Sequence, residues 1–212
     1  MLKTKLALFV CGLSALPLLA QETQNSFFTA AVGAGFTTPV YHTGTALDTG
    51  WNFEGQAGVN LFGAHLGLVG EFTYNHMGIN SATLNALQFP GGTTDVWAFS
   101  ADPVIRFNPQ GKVDFYLIGG PGIYHRHVEF TQPSIATFTG FDPFFGVFYP
   151  ISVPTNQVLL SYDANKFGVN GGGGFNFHVG SGHAKFFAEA RYHQIYTNRP
   201  TAFIPVTFGF RW

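Results

Sequence analysis

Past residue 20 this chain has no apolar run long enough to cross a bilayer as a helix, yet only 10% of its residues are charged. Soluble domains carry about 25%. A chain too apolar for water and without helical spans has few folds open to it. In lipid every backbone N–H and C=O must be satisfied inside the protein, which only helices and closed β-barrels achieve. The reading is therefore an all-β chain, an antiparallel barrel whose strands alternate between lipid and lumen. Its 25 Phe residues, within 17% aromatics overall, supply the lipid-facing surface.

The first twenty residues read differently. Lys3 and Lys5 precede an apolar run from Leu6 to Leu19, followed by Ala20 and Gln21. This is the layout of a secretory signal peptide, residues 1–20, with cleavage expected after Ala20. The run is short for a bilayer helix and Pro17 interrupts it. Val10 before Cys11 is not the small residue a lipoprotein-processing site carries, so no lipid anchor is expected. Residues 21–212 then form a single domain without cysteine, in keeping with an oxidising compartment. Removing Lys3 and Lys5 from ten basic residues leaves eight against eleven acidic, a net charge of −3. No nucleic-acid partner is expected of such a chain.

Period-2 alternation predicts eight strands. The clearest runs from Trp51 to Leu61, where Trp51, Phe53, Gly55, Ala57, Val59 and Leu61 oppose Asn52, Glu54, Gln56, Gly58 and Asn60. The others are Phe28–Thr37, Leu66–Asn75, Val96–Phe107, Val113 to about His127, Lys166–Val179, Lys185–Gln194 and a last strand from about Ala202. In that last strand Val206, Phe208, Phe210 and Trp212 share one face, and Thr207, Gly209 and Arg211 the other. Connections Phe62–His65, Asn108–Lys112 and Gly180–Ala184 are tight turns. Residues 38–50, 76–95 and 128–165 are expected to be long loops, and 195–201 a shorter one. Short turns at one rim and long loops at the other are the pattern of transmembrane barrels. A soluble barrel with the apolar face inward would need many exposed charges, and only three Lys remain after cleavage.

The strand count, the loop asymmetry, the Phe115–Tyr124 segment with its Gly119-Gly120-Pro121-Gly122, and the Phe187–Tyr192 segment together resemble the small eight-stranded outer-membrane barrels of the OmpA-type and OmpX-like kind. The resemblance covers all of 21–212 and implies an eight-stranded antiparallel up-and-down transmembrane β-barrel in the bacterial outer membrane. The outward row Val206, Phe208, Phe210 and Trp212 is similar to the assembly signal of such barrels. It implies insertion by the barrel-assembly machinery, with outer-membrane lipid and lipopolysaccharide as surroundings. No peptidoglycan-binding domain follows Trp212, so no wall-tethering role is expected.

Eight charged side chains fall on the inward row: Glu54, Glu71, Asp102, Arg106, Asp114, Glu189, Arg191 and Arg211. The lumen of an eight-stranded barrel is about filled by side chains, so these are expected to form a structural salt-bridge network. A narrow ion path is the alternative. Gly171–Gly174 and Gly119–Gly120 lie within strands, where glycine marks a close approach of bulky neighbours; no helix follows to cradle a phosphate, and no cofactor is expected. His125 and His127 share a face, and a metal site with His76 or His42 is conceivable. No spacing fixes a third ligand, so the expectation is rim histidines in water. An envelope-lipid enzyme is the remaining alternative, but none of the eight His is followed two positions on by Ser, as a lipid A deacylase barrel requires. The aromatics of 128–165 mark a surface that meets a partner, or else the strands extend past the membrane there and the aromatics pack into their own cap or line the lipid boundary. The function expected is structural or surface-interacting, not catalytic.

Overall fold

The computed structural model describes residues 27–178 and 184–212. The expected signal peptide and most of the expected turn at 180–184 lie outside the described residues. Eight strands follow in order: β1 (Phe28–Pro39), β2 (Gly50–Leu61), β3 (Leu66–Gly78), β4 (Gly91–Arg106), β5 (Val113–Asp142), β6 (Val147–His178), β7 (Lys185–Ile195) and β8 (Thr201–Arg211). Each pairs antiparallel with the next, and β8 returns to β1, so the sheet closes as a barrel. Trp212 is tied into this seam: its N–H donates to the Ala30 carbonyl at 2.8 Å and its own carbonyl accepts from the Ala30 N–H at 3.1 Å.

Strand register fixes the shape. Partners followed once around the ring run Leu61, Leu66, Ile105, Leu117, Gly173, Ala190, Val206, Phe36 and back to β2 at Trp51. The row re-enters β2 ten residues from where it left it, a shear of ten. With eight strands this sets a tilt of about 40° to the barrel axis. Trp51 and Leu61 are then separated by about 25 Å along the axis, the height of a lipid-facing band. Lateral rows also climb, by about 3 Å per strand from β2 toward β8.

The two faces divide as alternation predicts. Phe53, Leu68, Phe99, Leu117, Phe175 and Phe208 point outward, whereas Asn52, Glu54, Glu71, Asp102, Asn176 and Arg191 are buried within. Short connections lie at one rim, including a 3-10 turn at Phe62–Ala64, and long ones at the other.

Two expectations need correction. The span 76–95 is not all loop: β3 continues to Gly78, β4 begins at Gly91, and between them lies a helix, α1 (Ser81–Leu87), capped by the Asn80 side chain accepting from the Thr83 N–H at 2.8 Å. Two turns of helix are too short for a hydrophobic period to show. Nor is 128–165 a loop. β5 and β6 stay paired from Val113↔Phe177 to Asp142↔Val147 and form a ribbon far above the rim, with a register shift at Phe130/Thr131. Both faces of the ribbon meet solvent, so no apolar alternation marks it, and its prolines suggest loop. Its residues are nonetheless β-branched and aromatic, and Pro133, Pro150 and Pro154 fall where each strand has a single partner, as sheet edges tolerate. The tip closes because Asp142 Oδ1 accepts from the Phe144 and Phe145 N–H groups at 2.8 and 3.3 Å and Gly146 adopts φ 64°.

Barrel and ribbon differ in their solvent, and this is testable. Leu117→Arg, near mid-height of the lipid band, is expected to lower stability by about 2–4 kcal/mol. Phe141→Arg in the ribbon should leave it unchanged. Urea unfolding of the two variants in detergent or lipid, followed by tryptophan fluorescence, measures both.

Candidate functional site

Inside the barrel, Arg191 on β7 is the hub. Its guanidinium contacts Glu71 and Glu189 directly and donates to Asp102 Oδ2 at 3.0 Å and Asn170 Oδ1 at 3.3 Å. Asp102 also accepts from Ser100 at 2.6 Å and Asn170 at 2.9 Å. Gln56 bridges two acids, donating to Glu54 and Glu71 at 3.0 Å each. Arg211 lies over the Tyr116 and Phe187 rings, 4.6 and 5.1 Å from their centroids. It donates to Gln56 and Asn176 at 2.8 and 2.9 Å, and sits 3.7 Å from Glu189. Tyr116 completes the link by donating to Glu189 at 2.6 Å. Glu54, Glu71 and Glu189 bring carboxylate oxygens within 4.8 Å of one another, but the cation against them is Arg191.

Of the eight charged residues expected in the lumen, Glu54, Glu71, Asp102, Glu189, Arg191 and Arg211 are thus brought together. Arg106 stands apart near the short-turn rim, where it donates to Asn60 at 2.7 Å, whereas Asp114 joins the edge of the network by accepting at 2.9 Å from Asn176, the amide that accepts from Arg211. The neutral partners Gln56, Ser100, Tyr116, Asn170 and Asn176 carry as much of the network as the charges do. Their inward parity was readable, but their meeting depends on the shear.

Large lumen rings lie over glycines. A Cβ at Gly174 would fall 2.6 Å from the Tyr116 hydroxyl, one at Gly168 would fall 2.7 Å from the Tyr124 ring, and ones at Gly33 and Gly209 would fall 2.8 and 2.7 Å from Phe187. Above the charges, Met77, Val96, Tyr124, Ile195 and Phe203 pack together, each at most 2% exposed. This apolar cluster lies toward the long-loop rim, beside the buried polar side chains of Thr37, Asn75 and His193.

On the outer face, cross-strand register aligns His76, Asp95, His127 and Asp163 on four successive strands. The climb of the row lifts His127 about 9 Å above the level of Trp51, clear of the hydrocarbon. His76 Nδ1 lies 2.7 Å from Asp95, which also accepts from Tyr74 at 2.8 Å. His127 sits between Glu129 at 2.8 Å and Asp163 at 2.5 Å, and His125 Nε2 is 3.3 Å from the same Asp163 oxygen. These contacts, first Glu129 and then Asp163, raise the His127 imidazole above its ordinary 6.5, while hydrogen bonding to His127 holds Asp163 below its ordinary 3.8. His42 lies away in the β1–β2 connection, its carbonyl accepting from Thr45. Beneath the row, Trp97, Phe99, Ile123 and Phe167 line a groove of about 550 Å³ on the lipid face.

The predicted assembly row Val206, Phe208, Phe210 and Trp212 projects outward along β8, with Phe208 stacked on Phe186 and Phe210 edge-on to the same ring. Residues 6–211 match the outer membrane protein beta-barrel domain. The chain belongs to that family. An outer-membrane barrel of this kind places its long-loop rim, and therefore the ribbon, outside the cell. Among solved structures, Neisserial surface protein A is 15% identical, with a TM-score of 0.55, over 88% of this chain and 96% of that one. Ail, the attachment invasion locus protein of Yersinia pestis, is 17% identical with a TM-score of 0.48, over 88% and 100%. A further structure of Ail, in complex with the heparin analogue sucrose octasulfate, is 19% identical with the same TM-score and coverage. At these identities the likeness to Neisserial surface protein A speaks for the fold alone. No curated protein sequence is recognisably similar to the chain.

Two outcomes follow from the two polar clusters of this barrel. Arg191→Met leaves four neighbouring carboxylates with Arg211 alone and is expected to cost about 3–5 kcal/mol, read as a lower urea midpoint; an unchanged midpoint would show that the hub carries no stability. At the rim, the His127 ion pairs stabilise fully below pH 6.5, the ordinary histidine value, and fade as pH rises through the raised one. The Asp163 side is present above 3.8 and fades as pH falls through the lowered value. NMR titration of the His127 ring should therefore give a midpoint above 6.5 that drops in Glu129→Gln.

Proposed function

We propose that the protein is a surface-recognition barrel, in which a plugged outer-membrane anchor presents the β5–β6 ribbon to an extracellular protein. One observation carries this reading. Beyond Thr131 on β5, and before Gly168 on β6, each strand has only the other as partner among the described residues. Two long sheet edges therefore stand free above the membrane, and free edges are templates for strand addition. The faces support it with apolar contact: Ile135, Phe138, Phe141, Phe144, Phe145 and Phe148 are all exposed, Phe144 at 94%. A barrel that served only as a structural element has no use for such a surface. The apolar cluster over the lumen charges favours an anchor over an ion path, since water would have to pass between Met77, Val96, Tyr124, Ile195 and Phe203 and the buried side chains beside them. We further infer that Val206, Phe208, Phe210 and Trp212 are read by the barrel-assembly machinery during insertion.

The test replaces residues 133–156 by a two-residue turn, which leaves every barrel pairing in place. Cells displaying the intact and the shortened barrel are compared for adhesion to wells coated with extracellular matrix protein. Adhesion should fall to the level of cells without the barrel, while heat-modifiable gel mobility shows the shortened barrel still folded. Equal adhesion by both would overturn the proposal.

A further inference from the structure

The prolines of the ribbon show which way its main chain faces. In an antiparallel pair, alternate residues turn their N–H and C=O toward the partner strand, and the residues between them turn theirs to the outer edge. Pro133, Pro150 and Pro154 lie opposite Asn156, Thr139 and Ile135, all pairs of one parity. A strand accepts proline where the missing N–H would have faced an empty edge. Above the register shift at Phe130/Thr131, the outward residues of β5 are therefore Pro133, Ile135, Thr137, Thr139 and Phe141. Those of β6 are Phe148, Pro150, Ser152, Pro154 and Asn156. The two edges are not alike. On β6 proline interrupts the donors at every second place, so no two successive outward N–H groups remain, and such an edge is guarded against strand addition. On β5 the N–H groups of Ile135, Thr137, Thr139 and Phe141 follow one another unbroken.

We propose that the β5 edge of the ribbon binds the same edge of a second copy of this chain on a facing cell, as an antiparallel pair about a two-fold axis. This rests on the surface-recognition reading above and names its partner. With Phe138 on the axis, Ile135 meets Phe141 of the second copy and Thr137 meets its Thr139, so every open donor on the edge finds a carbonyl. The side chains agree at that register. Ile–Phe and Thr–Thr pairs fall on one face, and Phe138 meets its own equivalent on the other; aromatic, β-branched and threonine pairs of this kind stabilise sheets. Ile135, Phe138 and Phe141 are all exposed and free to make them. Asp142 is the only charged residue between Glu129 and Asp163. It comes opposite Ser134 of the second copy, so no like charges meet. Chain direction then sets the geometry. β5 runs away from its membrane, so an antiparallel β5 must come from a barrel in an opposed surface. Copies side by side in one membrane would need the weaker parallel pairing, or a β5–β6 pairing that Pro150 and Pro154 obstruct. The fit also ends without a clash: Asp142 of the second copy stops about 10 Å short of the place opposite Thr131 that Gly91 of β4 fills. Many such pairs act together between two cell surfaces, so each can be weak.

The experiment mixes two populations of cells with truncated lipopolysaccharide, each displaying the full barrel under a different fluorescent label and epitope tag, with a third population that displays none. Clumps should hold both labelled populations and exclude the third. Thr137→Pro removes an outward donor from each copy and puts a ring into the seam, and should lower mixed clumping at least about tenfold. Ser152→Pro makes the same change on the β6 edge and should leave clumping as it was. Heat-modifiable mobility checks that both variants are folded. Residues 21–212 contain no cysteine, so Phe138→Cys places a lone thiol on the axis, and oxidation of mixed clumps should give a disulfide dimer carrying both tags. Absence of mixed clumps, or clumps that Thr137→Pro leaves intact, would overturn the proposal. Dimers carrying one tag only would place both copies in one membrane and overturn it as well. Adhesion to coated wells without clumping would also overturn it while leaving the surface-recognition reading in place; the strand this edge takes would then be an extended segment of another protein.

Discussion

Everything in this molecule depends on the β1–β8 seam. A strand in hydrocarbon cannot leave its backbone groups unpaired, because no water is there to meet them. Pairing of Ala31↔Arg211 through Pro39↔Phe203 removes both edges of the sheet at once. Closure in turn fixes the shear, the shear fixes the tilt, and the tilt decides which side chains meet inside. Arg191 reaches Glu71 across 120 residues of chain only because the lateral rows climb as they go round.

The lumen solves a second problem that closure creates. A ring of eight strands encloses a space that side chains about fill, and alternation delivers polar residues into it. Four carboxylates, two guanidiniums and a set of amides and hydroxyls bind one another there, leaving a few atoms such as Glu71 Oε1 and Thr73 Oγ1 without a hydrogen bond, while Tyr116, Tyr124 and Phe187 take up volume over glycines that leave room for them. Such a core is more exacting than an apolar one. Each member is costly to leave unpartnered, and the arrangement is therefore closely coupled to the register of every strand.

How much was legible followed from what each segment buries. β2 reads almost to the residue, because one face meets lipid and the other the charged lumen, and Trp51 to Leu61 alternates without a break. The lumen charges could be assigned inward by parity, yet parity says nothing of height, so the separation of Arg106 from the Arg191 hub could not be seen. The ribbon was legible only as one of two open readings of 128–165, for the opposite reason. With water on both faces, Phe138 and Phe141 have no apolar side to choose, and the signal that marks a membrane strand vanishes where the strand leaves the membrane. Helix α1 was too short to have a period. At the rim, His125 and His127 were visible as a pair, but Asp163 is brought opposite them by pairing across the whole length of the ribbon.

That ribbon has a mechanical side. From Thr131 to its tip at Asp142 it extends about 36 Å, held only by its own two strands and by what grips its base. A swing of about 10° at the root, where His127 and Asp163 face each other, would carry the tip some 6 Å sideways, by about the spacing of one neighbouring strand. The base thus acts as a fulcrum. How firmly those ion pairs hold governs how widely the far end searches, and so how often two free edges in solution come into register with anything they touch.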